Sequence, residues 1–284
     1  MIRLVRWLAQ LPLSWLHSVG AVLGRFAYAL SPSYRRRLRD NFFQAGFRDK
    51  DLLRESVVDH GKGALEMPAL WLAPVDEVVG RVTRVSGVEV VEAAERTGKG
   101  IIYLTPHLGS FEVAAQWLAK RAPLTVLYRP PRKRILEPLM LAGRTKANMR
   151  TATTDLAGVR VLLRALRKGE AIGMLPDQVP SKGEGEWAEF FGRPAYTMTL
   201  AARLAESTGA PLVIGFAERL PRGEGFVLHI EPMPEPRPDE SAARWMNRAM
   251  EAVIRRRPTQ YLWAYNRFKV PSGVAPPPKA VQSA

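Results

Sequence analysis

The chain has 284 residues, 46% hydrophobic and 24% charged, the size and balance of a large domain with its own core and not of a disordered chain. Forty-two Lys and Arg against 27 Asp and Glu leave a formal charge of +15, which calls for an anionic partner: nucleic acid, acidic lipid, a phosphorylated substrate or an acidic protein. There is no cysteine, so disulfides, thiolate metal sites and cysteine nucleophiles are excluded.

The first feature in chain order is apolar. Residues 7–24, WLAQLPLSWLHSVGAVLG, contain no Asp, Glu, Lys or Arg. Arg3 and Arg6 precede them, and Arg25, Arg35, Arg36, Arg37 and Arg39 follow. The stretch approaches the ~20 residues of a bilayer span, but Gln10, Pro12 and His17 interrupt it. No small-x-small cleavage site leads into a polar start, which argues against a signal peptide. A single span, a helix lying in the interface and a buried helix all suit the pattern. In each case the arginine-rich side is expected to be cytoplasmic and to hold the bulk of the chain.

Residues 49–72 follow as an amphipathic helix with Leu52, Leu53, Val57, Val58 and Leu65 on its apolar face. Strands are then expected at 81–85, 100–105, 124–128, 171–175, 212–216 and 226–230, several nearly all apolar, as strands covered on both faces should be. Helical patterns lie between them at 89–96, 110–120, 135–148, 156–168 and 198–207, and Gly98, Gly169 and Gly209 stand where helix ends favour glycine. A last helix over 240–256 repeats Ala242, Trp245, Met246, Ala249, Met250, Val253 and Ile254 at helical spacing, the stripe of a helix packed on a core. The alternation predicts an α/β fold, a mostly parallel central sheet flanked by helices. Three regions result: a membrane-associated helix over 1–30, a main domain over 31–269, and a Pro/Ala/Ser-rich tail over 270–284 expected to be disordered.

The corner IIYLTPHLGSFE, residues 101–112, holds one of the chain's four histidines. Pro106 ends the strand, Ser110 is a candidate N-cap, and His107 lies between them, at the edge where open α/β sheets bind ligands. With His107 in the turn and Glu112 in the first helical turn, the carboxylate is expected to reach back, fix the ring tautomer and leave the other nitrogen as a general base. Backbone N–H groups at the helix start are placed to stabilise an oxyanion. A capping histidine beside a solvated glutamate is the plainer alternative. Nothing near His107 supplies metal ligands, and no GxSxG surrounds Ser110.

YRRRLRDNF, HLGSFE, VLYRPPRKR, LPDQVP, EFFGRPAYT and PTQYLWAYNRFK occur in this order. Over nearly the whole chain to Lys269 the sequence resembles the late acyltransferases of lipid A biosynthesis, the lauroyl/myristoyl transferase family of the lysophospholipid-acyltransferase-like superfamily. The resemblance implies that His107 and Glu112 form the catalytic His-x4-acid pair. His107 would deprotonate a hydroxyl of a lipid A precursor, and that oxygen would attack an acyl thioester carried by acyl carrier protein. It implies no metal and no cofactor beyond that thioester, acyl carrier protein and an anionic membrane as partners with no nucleic acid, and a place on the cytoplasmic face of the inner membrane.

Substrate contacts are carried to Arg129 and Arg144 as phosphate holders, to Asp177, at a strand end, as a residue that orients a basic group or lines the acceptor site, and to Gln178 and Gly192. Each also has a plainer reading: a surface arginine, a turn aspartate or an ordinary glycine turn. Arg267 is open between a substrate contact and an ion pair at the core edge. The stretch after Arg144 departs from the family's small, glycine-containing pattern. The basic clusters 35–39, 132–134 and 255–257 are candidates to face lipid or carrier protein. Transfer to another glycolipid, an ornithine lipid or glycerol phosphate is the alternative within the superfamily. A basic nucleic-acid binder is the alternative outside it, although no helix-turn-helix, RRM or zinc-finger pattern occurs.

Overall fold

The computed structural model describes residues 10–130, 137–146 and 148–278. Arg3, Arg6, the first residues of the apolar stretch, the basic cluster 132–134, the start of the helix expected at 135 and the last six residues of the tail lie outside the described residues.

Among the described residues four helices come first: α1 (Leu13–Leu30), α2 (Pro32–Gln44), α3 (Lys50–Leu72) and α4 (Val75–Gly80). Pro32 separates α1 from α2, because the residue before a proline is driven out of helical geometry while proline itself suits a first turn. The Asp49 carboxylate accepts from the N–H groups of Asp51 and Leu52 and so starts α3. Helix α2 lacks a strong apolar signal, since only Leu38 and Phe42, four residues apart, are buried.

The rest of the chain alternates. Strands β1 (Val82–Ser86), β2 (Ile101–Leu104), β3 (Leu124–Tyr128), β4 (Met149–Thr153), β5 (Ala171–Met174), β8 (Leu212–Arg219) and β9 (Phe226–Pro232) form one sheet in the order β1-β9-β8-β2-β5-β3-β4. All neighbours are parallel except β8 and β9. A separate hairpin, β6 (Gly185–Phe190) with β7 (Arg193–Met198), turns at Phe191 and Gly192, both at positive φ. The intervening helices are α5 (Val88–Glu95), α6 (Phe111–Arg121), α7 (Glu137–Arg144), α8 (Leu156–Arg167), α9 (Leu200–Thr208) and α10 (Ala242–Arg256). The expected mostly parallel α/β sheet is therefore present.

Successive strand side chains point to opposite faces, and the core divides accordingly. Ile102, Leu104, Ile172, Met174 and Ile214 meet Leu162 and Leu166 of α8 and the stripe of α10. Ile101, Tyr103, Val126, Ala171 and Val213 meet Val91 of α5 and Val113 and Ala114 of α6.

Helix α1 lies against α3 at backbone contact. A Cβ on Gly61 would stand 2.0 Å from the Gly20 carbonyl oxygen, and one on Gly24 would stand 2.5 Å from that of Val57. His17, on the same face of α1, bonds Glu66 of α3 at 2.7 Å, and Arg219 at the end of β8 clamps the same carboxylate at 2.8 and 2.6 Å. The opposite face of α1 shows Trp15 (65% exposed), Val19, Val22, Leu23, Phe26 and Leu30. Among the described residues no helix is long and apolar enough to cross a membrane.

Candidate active site

Strands β2 and β5 are adjacent and parallel, with Leu104 paired to Met174. His107 and Asp177 each lie three residues past that pair, so the sheet delivers them side by side at its C-terminal edge. The His107 corner is stitched to the segment before Trp263: Leu262 N–H donates to the His107 carbonyl, and Gly109 N–H to that of Gln260. Gly109 adopts φ +60, and a Cβ there would lie 2.0 Å from the Ala217 carbonyl oxygen, so only glycine fits.

The Asp177 carboxylate grips His107 twice. One oxygen accepts from the backbone N–H at 2.9 Å, and the other meets ring Nδ1 at 2.7 Å. Burial of Asp177 would raise its pKa, but the electrostatic attraction of the adjacent His107, these two hydrogen bonds and the Arg267 charge outweigh burial and hold it below the ordinary carboxylate value. An ionised carboxylate only accepts, so Nδ1 carries the proton and Nε2 presents its lone pair. That lone pair accepts from the Gln178 amide at 3.0 Å. Tyr261 is buried beside Asp177, and burial first and the Asp177 charge second push its phenol pKa up.

The expected contact between His107 and Glu112 is not made. Glu112 heads α6, and its Oε1 accepts from both Nε (3.0 Å) and Nη2 (2.5 Å) of Arg144, the last residue of α7. The five-residue spacing is spent on the turn and the helix start, which point Glu112 toward α7, while the neighbouring strand supplies a closer acid. Glu112 is 4% exposed and Arg144 16%, so Arg144 is held by protein at the site's edge and is not a free surface cation. Ser110 occupies the N-cap position of α6, but its hydroxyl makes no capping bond. The Gly109 and Ser110 N–H groups are already given to the Gln260 and Ala217 carbonyls, so at this helix start it is the N–H groups of Phe111 and Glu112 that such carbonyls do not take up.

Two cavities meet here. A narrow apolar one of about 680 Å³, mouth included, lies between α6 and the sheet and is lined by residues such as Tyr103, Leu118, Val126, Gly173 and Leu228. A more polar cleft of about 650 Å³ lies between α3 and the His107 corner, with His60, Glu66, His107, Arg219 and Gln260 on its walls. Phe111 and Glu112 border both, and the Phe111 ring packs edge-on against His107 at 5.1 Å.

The remaining sequence candidates fall on either side of this junction. Gln178 is in it. Arg129 is outside, exposed and 3.4 Å from the Ser181 hydroxyl. Gly192 completes the hairpin turn and borders neither cavity. Arg267 is buried behind the site, donating to the Tyr196 carbonyl at 2.7 Å and the Thr197 hydroxyl at 2.6 Å; this is a core role, with its charge felt by Asp177. Tyr261 and Gln260 were not singled out from sequence, because their only signal is the YLW and NRF context and their place depends on a return of the chain from far along the sequence.

A sequence profile of bacterial lipid A biosynthesis acyltransferases matches residues 1–270. The chain is 30% identical over 285 residues to the lipid A biosynthesis lauroyltransferase of Escherichia coli K12, covering 95% of this chain and 91% of that protein. It is 28% identical over 277 residues to the palmitoleoyltransferase of the same organism, covering 93% and 89%, and 25% identical over 259 residues to its myristoyltransferase, covering 88% and 79%. With a match that runs through the His107 corner and the Asp177 strand end alike, the chain belongs to the bacterial lipid A biosynthesis acyltransferase family.

Proposed function

We propose that the protein transfers a fatty acyl chain from the thioester of acyl carrier protein to a hydroxyl of a lipid A precursor, at the cytoplasmic face of the inner membrane. The observation that carries this reading is a histidine with an enforced tautomer, seated where an apolar cavity and a polar cleft join. The acceptor hydroxyl displaces the Gln178 amide from Nε2 and gives up its proton there. Its oxygen bonds to the thioester carbon, and the tetrahedral oxyanion faces the Phe111 and Glu112 N–H groups. The C–S bond then breaks, and the sulfur leaves as a thiol with the proton returned from Nε2.

Asp177 keeps the imidazole oriented and stabilises the imidazolium, while Glu112 fixes Arg144 for an anionic part of the substrate. No metal or cofactor enters these steps. Arg129, exposed near the Asp177 loop, extends the positive rim. On the membrane, the exposed apolar face of α1 lies in the interface plane with Arg25, Arg35, Arg36, Arg37 and Arg39 among anionic headgroups.

The test is transfer in vitro from acyl-carrier thioesters to lipid A precursors, with ornithine lipid and glycerol phosphate as competing acceptors. Transfer to the precursor that is lost in His107→Ala is expected. Undiminished turnover in that variant, or transfer only to the other acceptors, would defeat the proposal.

A further inference from the structure

Glycine in the middle of a central strand is costly, because it loses the most conformational freedom and packs nothing. Its usual justifications are a positive φ or the close approach of another backbone. Gly215 on β8 has the second, since a Cβ there would lie 2.5 Å from the His229 carbonyl oxygen. Gly173 on β5 has neither. Its φ is not in the left-handed region, and the atoms nearest an added Cβ are side-chain methyls: Val126 Cγ1 at 3.3 Å and Leu124 Cδ1 at 3.7 Å.

What Gly173 does have is a face left partly accessible, where an added Cβ would press on the Val126 methyl at 3.3 Å. It pairs with Tyr103 of β2 and Val126 of β3, and all three line the apolar cavity. Although β5 is an inner strand flanked by helices, Gly173 is only partly buried, whereas Ile172 and Met174 on either side of it are fully buried. The accessible surface it keeps is the floor of that cavity.

We infer that Gly173 sets the length of acyl chain the apolar cavity admits, an inference that rests on the acyl-transfer reading above. Atoms added at this position project between Tyr103 and Val126 into the path a chain takes beneath α6. They shorten the usable depth from the middle of the cavity, leaving the Phe111–Glu112 mouth and the His107–Asp177 pair untouched. The chain in the cavity comes from either the donor thioester or the acceptor's own hydroxyacyl group; the chemistry that selects it is the same, and the test separates the two.

Gly173→Ala and Gly173→Val are compared with the parent using donors that differ by two carbons against one acceptor, and then using acceptors that differ in chain length against one donor. One or two methylenes in an apolar pocket discriminate by roughly 10–200-fold. The expected result is at least a ~10-fold fall in kcat/KM for the parent's preferred length, with activity on shorter chains kept, larger for valine than for alanine and confined to one of the two panels. Gly173→Val combined with Val126→Ala should recover part of the lost length. Valine favours strands, and thermal melting checks that each variant is folded; if the valine variant does not fold, the alanine variant decides.

A second readout needs no turnover: free fatty acids of graded length displace a fluorescent fatty acid from the purified protein, and the best competitor should shorten in the variants. A folded variant with unchanged length preference in both assays overturns the inference. A parent that transfers no chain while its variants still shift in the displacement assay would overturn the acyl-transfer reading and leave Gly173 as the limit on chain length.

Discussion

At the residue scale the decisive contact is the one between an imidazole and the carboxylate from the next strand. Asp177 holds both the ring and the backbone N–H of His107, so Asp177→Asn should leave the fold intact while loosening the tautomer. We expect His107→Ala to lower kcat by about 10²–10⁴ and Asp177→Asn to lower it by a comparable factor, measured with saturating acceptor. Glu112 is paired with Arg144. Glu112→Gln and Arg144→Gln should therefore be non-additive in a double-mutant cycle, with a coupling of about 0.5–3 kcal/mol, while Glu112 and Asp177 changes should add more nearly independently. Additivity of Glu112 with Arg144 would show that their ion pair has no part in transfer.

Elements are held by contacts that tolerate no side chain or no missing charge. At the α1–α3 crossing, Gly61→Val would push the helices apart, since even a Cβ falls within 2.0 Å of a carbonyl oxygen. A loss of about 1–3 kcal/mol in denaturant unfolding is expected, with the wall of the polar cleft disturbed as well. The ion cluster beside it has a pH signature. Burial would raise the Glu66 carboxyl, but the Arg219 charge, its hydrogen bonds and His17 lower it to about 2. A depressed carboxyl stabilises the fold above its unfolded pKa of about 4.3, and that stability is lost as pH falls toward 2. His60, lowered to about 4 chiefly by burial, is in contrast neutral in the fold; the unfolded chain takes up a proton there below about 6.5 that the folded chain refuses until about 4, so stability falls across that interval. Stability should thus decline in two successive stages on acidification. Asn at position 60 should remove the upper one, which a melting series from pH 7 to 3 reads directly. A flat profile in the parent would contradict both assignments.

At the scale of the whole molecule, α1 turns a face of large apolar side chains to solvent among the described residues. Helix α1 is bound along its other face to α3 by glycine contacts and a buried ion cluster. An orientation that presents Trp15 and Phe26 to a lipid surface would therefore carry the cleft between α3 and the His107 corner along with it. Replacing Trp15 and Phe26 together with Ser should reduce cosedimentation with anionic vesicles by at least ~10-fold, since each large side chain moved out of water contributes about 1.5–3 kcal/mol. Melting should change little, because neither side chain is packed on the body. Raised salt should weaken binding further by screening the arginines. Vesicle binding indifferent to both would remove the lipid surface as the partner of this face.

The sequence by itself determined the strands and helices of the α/β layers, because apolar runs covered on both faces and 3.6-residue stripes are local properties: β2, β3, β5, β8 and β9 and helices α3, α6, α8 and α10 are all written in their own residues. It also placed His107 at a sheet edge, since a strand that stops at Pro106 before a helix start ends at the rim where open sheets take ligands. It missed β4, an edge strand with Arg150 and Thr153 turned to solvent, and α2, whose buried face is two residues wide. The partner of His107 was legible only in part. Asp177 was marked as a strand-end residue able to orient a basic group, but spacing favoured the nearby Glu112. Which acid meets the ring depends on sheet order, which sets β5 beside β2 across a separation of 70 residues, and on the direction in which α6 leaves the turn. Those are decided by packing of the whole sheet, and no local pattern encodes them.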